Sequence, residues 1–102
     1  MFETLEELIT VIRQRKRSST EESYTHKLLN SKKLSVEKVK EEIAELIDAI
    51  EKNTNKIHEA ADVLYHLLVL LEANGIKIED VLEELKKTNG KYLLMEEESL
   101  QE

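Results

Sequence analysis

The feature that most constrains this chain is its near lack of residues that interrupt helices. Its 102 residues include no proline and only two glycines. Leucine, glutamate, lysine, isoleucine and alanine dominate instead, and most of these residues favour helices. A chain of this length forms one domain whose core covers only part of its apolar surface. We therefore predict an all-α fold, completed by dimerisation.

The charge balance and the lack of cysteine exclude several classes of function. A net charge of −7 argues against general nucleic-acid binding, which needs a basic surface. Without cysteine there is no disulfide framework and no thiolate nucleophile. No apolar run is long enough to cross a bilayer, and residues 1–10 lack the features of a signal peptide. We predict a cytoplasmic, soluble protein with no nucleic-acid or membrane partner.

Apolar residues at helical spacing divide the chain into helices joined by short polar segments. The predicted arrangement is an antiparallel bundle of four main helices in a single domain over residues 1–90, followed by an acidic extension over 91–102. A further short helix has Thr20 or Ser23 as candidate N-caps. The main helices are predicted at residues 2–17, 36–52, 57–74 and 78–88, and the short helix at 20–31.

The two central helices differ in how their apolar residues are distributed. Helix 36–52, with Ser35 as its predicted N-cap, carries one apolar stripe that we expect to be buried. Helix 57–74 is apolar nearly all round, which indicates a central helix covered on several sides, with a second subunit supplying part of the cover. The stripe of helix 36–52 comprises Val36, Val39, Ile43, Leu46, Ile47 and Ile50.

Acidic residues interrupt both of these helices on matching faces. Glu42 and Glu45 are three residues apart, and so share one helix face, as do Glu59 and Asp62. A short turn makes the helices antiparallel, which predicts that Glu45 lies near Asp62 and Glu42 near His66. Carboxylates that converge in this way require neutralisation, and hard oxygen donors suit Mg²⁺ or Mn²⁺.

The motif Glu-Glu-x-x-Glu is short, and a chain this rich in glutamate can match it by chance. Solvated glutamates on an acidic protein therefore remain an alternative. What favours a metal site is that Glu59 and Asp62 interrupt the most apolar helix, where an unpaired carboxylate is costly.

The histidines and the basic run have ordinary structural interpretations. His58 and His66 are each expected to be hydrogen-bonded structural residues rather than ligands, and without cysteine or a second histidine at zinc spacing we do not expect a zinc site. Tyr65 is expected in the core or an interface, with a partner for its hydroxyl. The run Arg13–Arg17 is either a solvated helix end or a positive region that holds an anionic substrate.

Longer blocks of sequence resemble the phosphoribosyl-ATP pyrophosphohydrolase family of histidine biosynthesis, within the wider MazG-like group of all-α nucleotide pyrophosphohydrolases. The blocks Ser-Tyr-Thr-x-Lys-Leu-Leu and Glu-Ala-Ala-Asp-x-Leu-Tyr-His are specific to that family, whereas the acidic motifs indicate only the wider group. These blocks occupy residues 23–29 and 59–66.

This resemblance implies a helical dimer that hydrolyses the α–β phosphoanhydride of phosphoribosyl-ATP, giving phosphoribosyl-AMP and pyrophosphate. It implies four Mg²⁺ ligands, a further ligand or water-orienting base, and two lysines that contact phosphate. The implied Mg²⁺ ligands are Glu42, Glu45, Glu59 and Asp62. The implied base is Glu41, which forms the catalytic group together with Glu42 and Glu45. The implied phosphate-contacting lysines are Lys27 and Lys38.

Two departures from the family pattern leave alternatives open. Lys40 stands where the family has glycine before Glu-Glu, and Thr20-Glu21-Glu22 stands where it has Pro-Glu-Gly. A MazG-like pyrophosphohydrolase that acts on another nucleoside triphosphate is one alternative. A non-catalytic helical dimerisation module that keeps its acidic face for solubility is a second alternative, which does not depend on these departures.

Overall fold

The computed structural model describes residues 1–17 and 23–88, which are helical apart from short connections. The prediction of an all-α chain is confirmed. Two predicted features lie outside the described residues, namely Thr20 as an N-cap and the acidic extension over residues 91–102. The helices are α1 (Glu3–Arg17), α2 (Tyr24–Leu29), α3 (Lys32–Lys52), α4 (Lys56–Ala73) and α5 (residues 78–88).

Serine side chains set the beginnings of α2 and α3. Ser23 accepts a hydrogen bond from the His26 amide at 3.4 Å, and Ser31 accepts one from the Leu34 amide at 3.2 Å. These contacts satisfy amides that the first helical turn leaves unpaired. The prediction that Ser35 caps α3 is wrong, because α3 already begins at Lys32.

Ser35 instead lies buried inside α3. Its hydroxyl bonds the carbonyl of Leu28 and that of Ser31, the latter at 3.0 Å. A serine in a helix interior commonly donates to the carbonyl one turn before it. The contact with Leu28 also ties α3 to the end of α2.

A tight turn of left-handed residues joins α3 to α4. Asn53 has φ 56° and Asn55 has φ 46°, and asparagine is among the few residues other than glycine that adopt this conformation readily. The Thr54 amide donates to the Ala49 carbonyl at 3.0 Å, which satisfies a carbonyl at the helix end. The turn folds α4 back along α3, as predicted, and the contact between these two helices is the most extensive among the helices at residues 3–17 and 24–73.

The core lies where α4 meets α1 and α2. Its buried members come from α1, α2 and α4, and Tyr65 and Ile78 pack at its edge. Helix α4 contacts α1, α2 and α3, in agreement with its predicted central place. The buried core residues are Ile12, Leu28, Leu29, Leu68 and Val69.

Part of the apolar surface predicted to be internal is exposed in the single chain. Within the stripe of α3, Val39 is buried, but Ile43, Ile47 and Ile50 are between 42 and 56% exposed. The prediction of a buried stripe is therefore wrong for these three residues, because no other described helix of the chain covers that side. Leu64 and Leu67 on α4, and Leu82 and Leu85 on α5, are also exposed.

In the ranges 1–17 and 23–88, no helix combines the length and apolar character needed to cross a membrane.

Candidate active site

Two groups of potential metal ligands lie on α3 and α4. On α3, single carboxylate oxygens of Glu41, Glu42 and Glu45 lie within 4.8 Å of one another. On α4, one ligand atom from each of His58, Glu59 and Asp62 lies within the same limit. We call the five carboxylates of these two groups the acidic site: Glu41, Glu42, Glu45, Glu59 and Asp62.

Glu42 is the most buried member of the acidic site, with 9% of its surface exposed. Burial raises the pKa of its carboxyl group, and the negative charges of Glu45 and Asp62 raise it further, whereas His66 lowers it. Glu42 on α3 is thus within electrostatic reach of Asp62 and His66 on α4. This agrees with the predicted proximity of Glu42 to His66, and the pairing of Glu45 with Asp62 stays a prediction.

Two carboxylate oxygens in the acidic site are buried without a hydrogen bond from any described residue. They are Oε2 of Glu42 and Oε2 of Glu59, one on each helix. A buried acceptor with no donor costs about 1–3 kcal/mol, and more if it is charged. Such oxygens are suited to a cation, which would supply the missing partner.

His66 connects the acidic site to α2. Its Nδ1 lies 2.7 Å from the Asp62 carbonyl oxygen, and since a carbonyl only accepts, Nδ1 carries the hydrogen. In the neutral imidazole, Nε2 then accepts from the Tyr24 hydroxyl, at 2.9 Å. His66 is only 7% exposed. The prediction that it is a hydrogen-bonded structural residue is confirmed.

Tyr65 completes the contact between α2 and α4. Its hydroxyl bonds the hydroxyl of Thr25, as expected for a partly buried tyrosine, and its ring packs edge-on against His66 at 4.9 Å between centroids. The structural roles of Tyr24 and Thr25 were not predicted. The only signal in the sequence was that both belong to the family-specific block at residues 23–29.

The two lysines expected to contact phosphate differ in their surroundings. Lys38 Nζ lies 3.2 Å from Glu41 Oε2, and its hydrogen bond with Glu41 raises the pKa of the lysine. Lys27 is exposed on α2 and forms no ion pair with the residues that the structure describes. The structure thus brings Lys38, and not Lys27, into contact with the acidic site.

Lys40 lies away from the acidic site. It is exposed on α3, and two residues correspond to roughly 200° of rotation around a helix, so it projects from nearly the opposite side to Glu42. Helical spacing therefore separates Lys40 from Glu42, and an effect of Lys40 on the choice of substrate stays a prediction.

His58 lies at the exposed edge of the acidic site, next to Asp62. Its Nε2 lies 3.3 Å from Asp62 Oδ2, one helical turn further along α4. This contact pairs an imidazole with a carboxylate, and the prediction that His58 is hydrogen-bonded stays a prediction.

The basic end of α1 binds other parts of the same chain. Arg13 forms two hydrogen bonds with the Glu79 carboxylate, at 3.0 and 2.5 Å, and these bonds lower the pKa of Glu79 to about 2. Lys16 donates to the Glu72 carbonyl at 2.7 Å. Arg13 and Lys16 therefore fasten α1 to the end of α4 and to α5, which argues against the substrate-holding interpretation for these two residues.

The chain is similar to one protein-family sequence model and to several known proteins. A sequence model described as "Phosphoribosyl-ATP pyrophosphohydrolase" matches residues 5–89. A "Phosphoribosyl-ATP pyrophosphatase" of Bacillus cereus (strain AH187) is 39% identical over 87 residues, which cover 82% of this chain and 81% of that protein. One of Pyrobaculum calidifontis is 43% identical over 89 residues, covering 81% of this chain and 92% of the relative.

A longer protein from Arabidopsis thaliana, "Histidine biosynthesis bifunctional protein hisIE, chloroplastic", is 42% identical over 92 residues. The match covers 82% of this chain and 33% of that protein. No solved structure gives a significant match to the chain.

Proposed function

This chain belongs to the phosphoribosyl-ATP pyrophosphohydrolase family, and on that basis we propose that it hydrolyses phosphoribosyl-ATP to phosphoribosyl-AMP and pyrophosphate in histidine biosynthesis. The observation that carries the proposal is the pair of unpartnered, buried carboxylate oxygens on Glu42 and Glu59. A domain that kept acidic residues only for solubility would have no reason to bury them. This observation supports an enzyme rather than a dimerisation module.

We propose Mg²⁺ as the cofactor, with Mn²⁺ as the alternative. The donors are all carboxylate oxygens, which hard divalent cations prefer, and two of them lack any other described partner. When bound, such a cation screens negative charge, polarises a phosphoryl oxygen and lowers the pKa of bound water. The proposed ligands are Glu42, Glu45, Glu59 and Asp62.

The remaining polar residues of the site position the water and the substrate. Glu41 is about half exposed beside Lys38, where its carboxylate accepts a hydrogen bond from the attacking water and takes up its proton. The Lys38 ammonium group is close enough to the acidic site to contact a phosphate oxygen. Lys27 remains a second proposed phosphate contact. Water adds to one phosphorus of the α–β anhydride, and the bridging P–O bond breaks.

The direct test is release of pyrophosphate from phosphoribosyl-ATP, with Mg²⁺ and with a chelator. We expect turnover that depends on Mg²⁺ and a loss of about a hundredfold or more in Glu45→Gln and Asp62→Asn, because each loses a ligand to the metal. Glu51→Gln, an exposed change on the same helix, is the matched control. Absence of turnover by the parent with Mg²⁺ present would contradict the proposal.

The alternative substrate, another nucleoside triphosphate, is separated by the same assay with a panel of triphosphates. Because Lys40 projects away from Glu42, we expect Lys40→Gly to leave the preference for phosphoribosyl-ATP unchanged. A shift of preference in that variant would instead support a role for Lys40 in substrate choice.

We also propose that two chains pair into an antiparallel helical bundle through the apolar flank, defined as Ile43, Ile47, Ile50, Leu64 and Leu67. These side chains are exposed on adjacent helices. On α3 they lie across the buried line of the helix from Glu41 and Glu45. Burying a side chain of this type contributes about 1.5–3 kcal/mol, so a symmetric contact that uses the flank twice would be favourable.

The pairing is tested by measuring molar mass with light scattering after size exclusion. We expect the parent to be a dimer and Ile47→Glu to be a monomer, because a charge at the centre of the flank cannot be buried without a partner. Gln14→Glu, which adds a charge on the exposed side of α1, is the matched control. A monomeric parent would contradict this part of the proposal.

A further inference from the structure

His58 adds a nitrogen donor to one end of the acidic site. It precedes Asp62 by four residues, so both side chains leave the same face of α4 one turn apart, and His58 Nε2 lies 3.3 Å from Asp62 Oδ2. Glu59 brings a third ligand atom within 4.8 Å of both. Two ligands at this spacing on one helix can hold the same metal ion, as in helical zinc sites.

A second observation at the same place indicates a missing cation. Oε2 of Glu59 is buried and accepts no hydrogen bond from any residue in the described part of the chain. Glu42 on α3, which is 9% exposed, also has an unpartnered Oε2. Two buried oxygens of the acidic site therefore accept no hydrogen bond from the described residues, and the imidazole of His58 is the one nitrogen ligand in the group of His58, Glu59 and Asp62.

The kind of donor determines which cation prefers this position. Imidazole suits Zn²⁺, Co²⁺ and related transition metals, whereas Mg²⁺ selects oxygen ligands. The chain has no cysteine, so no thiolate competes for such an ion. A position with one imidazole and two carboxylates thus differs in selectivity from one built of carboxylates alone.

We propose that His58, Glu59 and Asp62 form a binding position for a borderline transition-metal cation of the Zn²⁺ and Co²⁺ class. The proposal rests on the proposed function in one respect: Glu59 and Asp62 are also proposed Mg²⁺ ligands. Occupancy by a transition metal therefore competes with Mg²⁺. His58 makes the activity of this chain sensitive to which divalent cation is present.

The test is calorimetric titration of the untagged, metal-free protein with Zn²⁺ and, separately, with Mg²⁺. We expect His58→Gln to weaken Zn²⁺ binding by about tenfold or more, with a much smaller change for Mg²⁺. His26→Gln is the matched control, because it removes an imidazole that bonds the Arg15 carbonyl, away from the acidic site. That variant should bind Zn²⁺ as the parent does.

A spectroscopic readout identifies the donor. With Co²⁺ in place of Zn²⁺, the visible absorption of the bound ion should change between the parent and His58→Gln, because one nitrogen ligand is lost. Equal Zn²⁺ affinity in the parent and His58→Gln, or equal losses in His58→Gln and His26→Gln, would overturn the proposal.

The two proposals fail in different ways. If Glu45→Gln retains Mg²⁺-dependent hydrolysis while His58→Gln loses Zn²⁺ affinity, the metal assignment of the proposed function is wrong and the transition-metal position stands. If Mg²⁺-dependent hydrolysis behaves as proposed but His58→Gln binds Zn²⁺ normally, only the role of His58 is overturned.

Discussion

Replacing Glu42 by glutamine should have opposite effects on stability with and without a divalent cation. Glu42 is 9% exposed, and its Oε2 has no hydrogen-bond partner among the described residues. It also lies within reach of the negative charges of Glu45 and Asp62. Glutamine has nearly the same shape but no charge, so Glu42→Gln isolates the cost of burying that charge.

The size of the effect follows from burial and from linkage to metal binding. An unsatisfied buried group costs about 1–3 kcal/mol. Because glutamine removes the charge but keeps a polar atom, we expect Glu42→Gln to raise the free energy of unfolding by about 1 kcal/mol without metal. Mg²⁺ at 100 times its dissociation constant stabilises the parent by about 2.7 kcal/mol. A variant that binds Mg²⁺ about a hundredfold more weakly gains only about 0.4 kcal/mol.

The assay is thermal unfolding followed by circular dichroism at one fixed protein concentration, with a chelator or with Mg²⁺. At roughly 4–8 °C per kcal/mol, Mg²⁺ should raise the parent's melting temperature by roughly 10–20 °C. Glu42→Gln should melt above the parent in chelator and below it in Mg²⁺, and Glu51→Gln should follow the parent. If Glu42→Gln is the less stable protein in chelator, or gains as much from Mg²⁺ as the parent, this account of the acidic site is refuted.

Three further predictions concern contacts that hold the helices together. The hydrogen bonds from Arg13 lower the pKa of Glu79 from 4.5 to about 2, so the pair stabilises the fold above about pH 4.5 and that contribution is lost as the pH falls through about 2. Glu79→Gln should therefore flatten the acid limb of the stability curve measured by circular dichroism, and an unchanged limb would contradict the contact. Tyr24→Phe removes the hydrogen bond to His66 and should lower the free energy of unfolding in urea by about 1 kcal/mol, and no loss would mean that the bond is not formed in solution. Asn53→Ala should cost about 1–2 kcal/mol in the same measurement because φ is 56°, whereas Asn53→Gly should cost less; equal costs would argue against the left-handed turn.

Local signals in the sequence predicted the helices well, and they failed where long-range packing decides the outcome. The hairpin of α3 and α4 is predicted to within one residue at the start of α4, because its apolar repeats are long and its turn is polar. Ser31 and Ser35 are both chemically able to cap α3, and only the packing of Ser35 against the Leu28 carbonyl distinguishes them. Because that contact joins two different helices, no pattern of neighbouring residues in the sequence predicts it.

The acidic site and its surroundings also combine contacts that local spacing predicts with contacts that it does not predict. The placement of Glu42 near His66 follows from helical spacing and an antiparallel turn. The orientation of Lys40 relative to Glu42 could also be predicted from helical spacing, since residues two apart do not share a helix face. By contrast, the contact of Arg13 with Glu79 spans 66 residues. It depends on how α5 packs against α1, and no short motif encodes it.

Exposure of the apolar residues could not be predicted from their spacing alone. The stripe on α3 meets the ordinary pattern of a buried face, and Val39 fits it. Ile47 meets the same pattern but is half exposed. A repeat of apolar residues predicts that a helix face avoids water, but it does not indicate which surface would cover that face.

The turn at Asn53 and Asn55 sets the rotational phase of α4 relative to α3. One inserted residue would turn α4 by roughly 100° about its axis, which would carry Glu59 and Asp62 away from the carboxylates of α3. Substitutions in this turn change only stability, whereas insertions and deletions would separate the two halves of the acidic site. The length of this turn should therefore vary less among functional relatives than its sequence does.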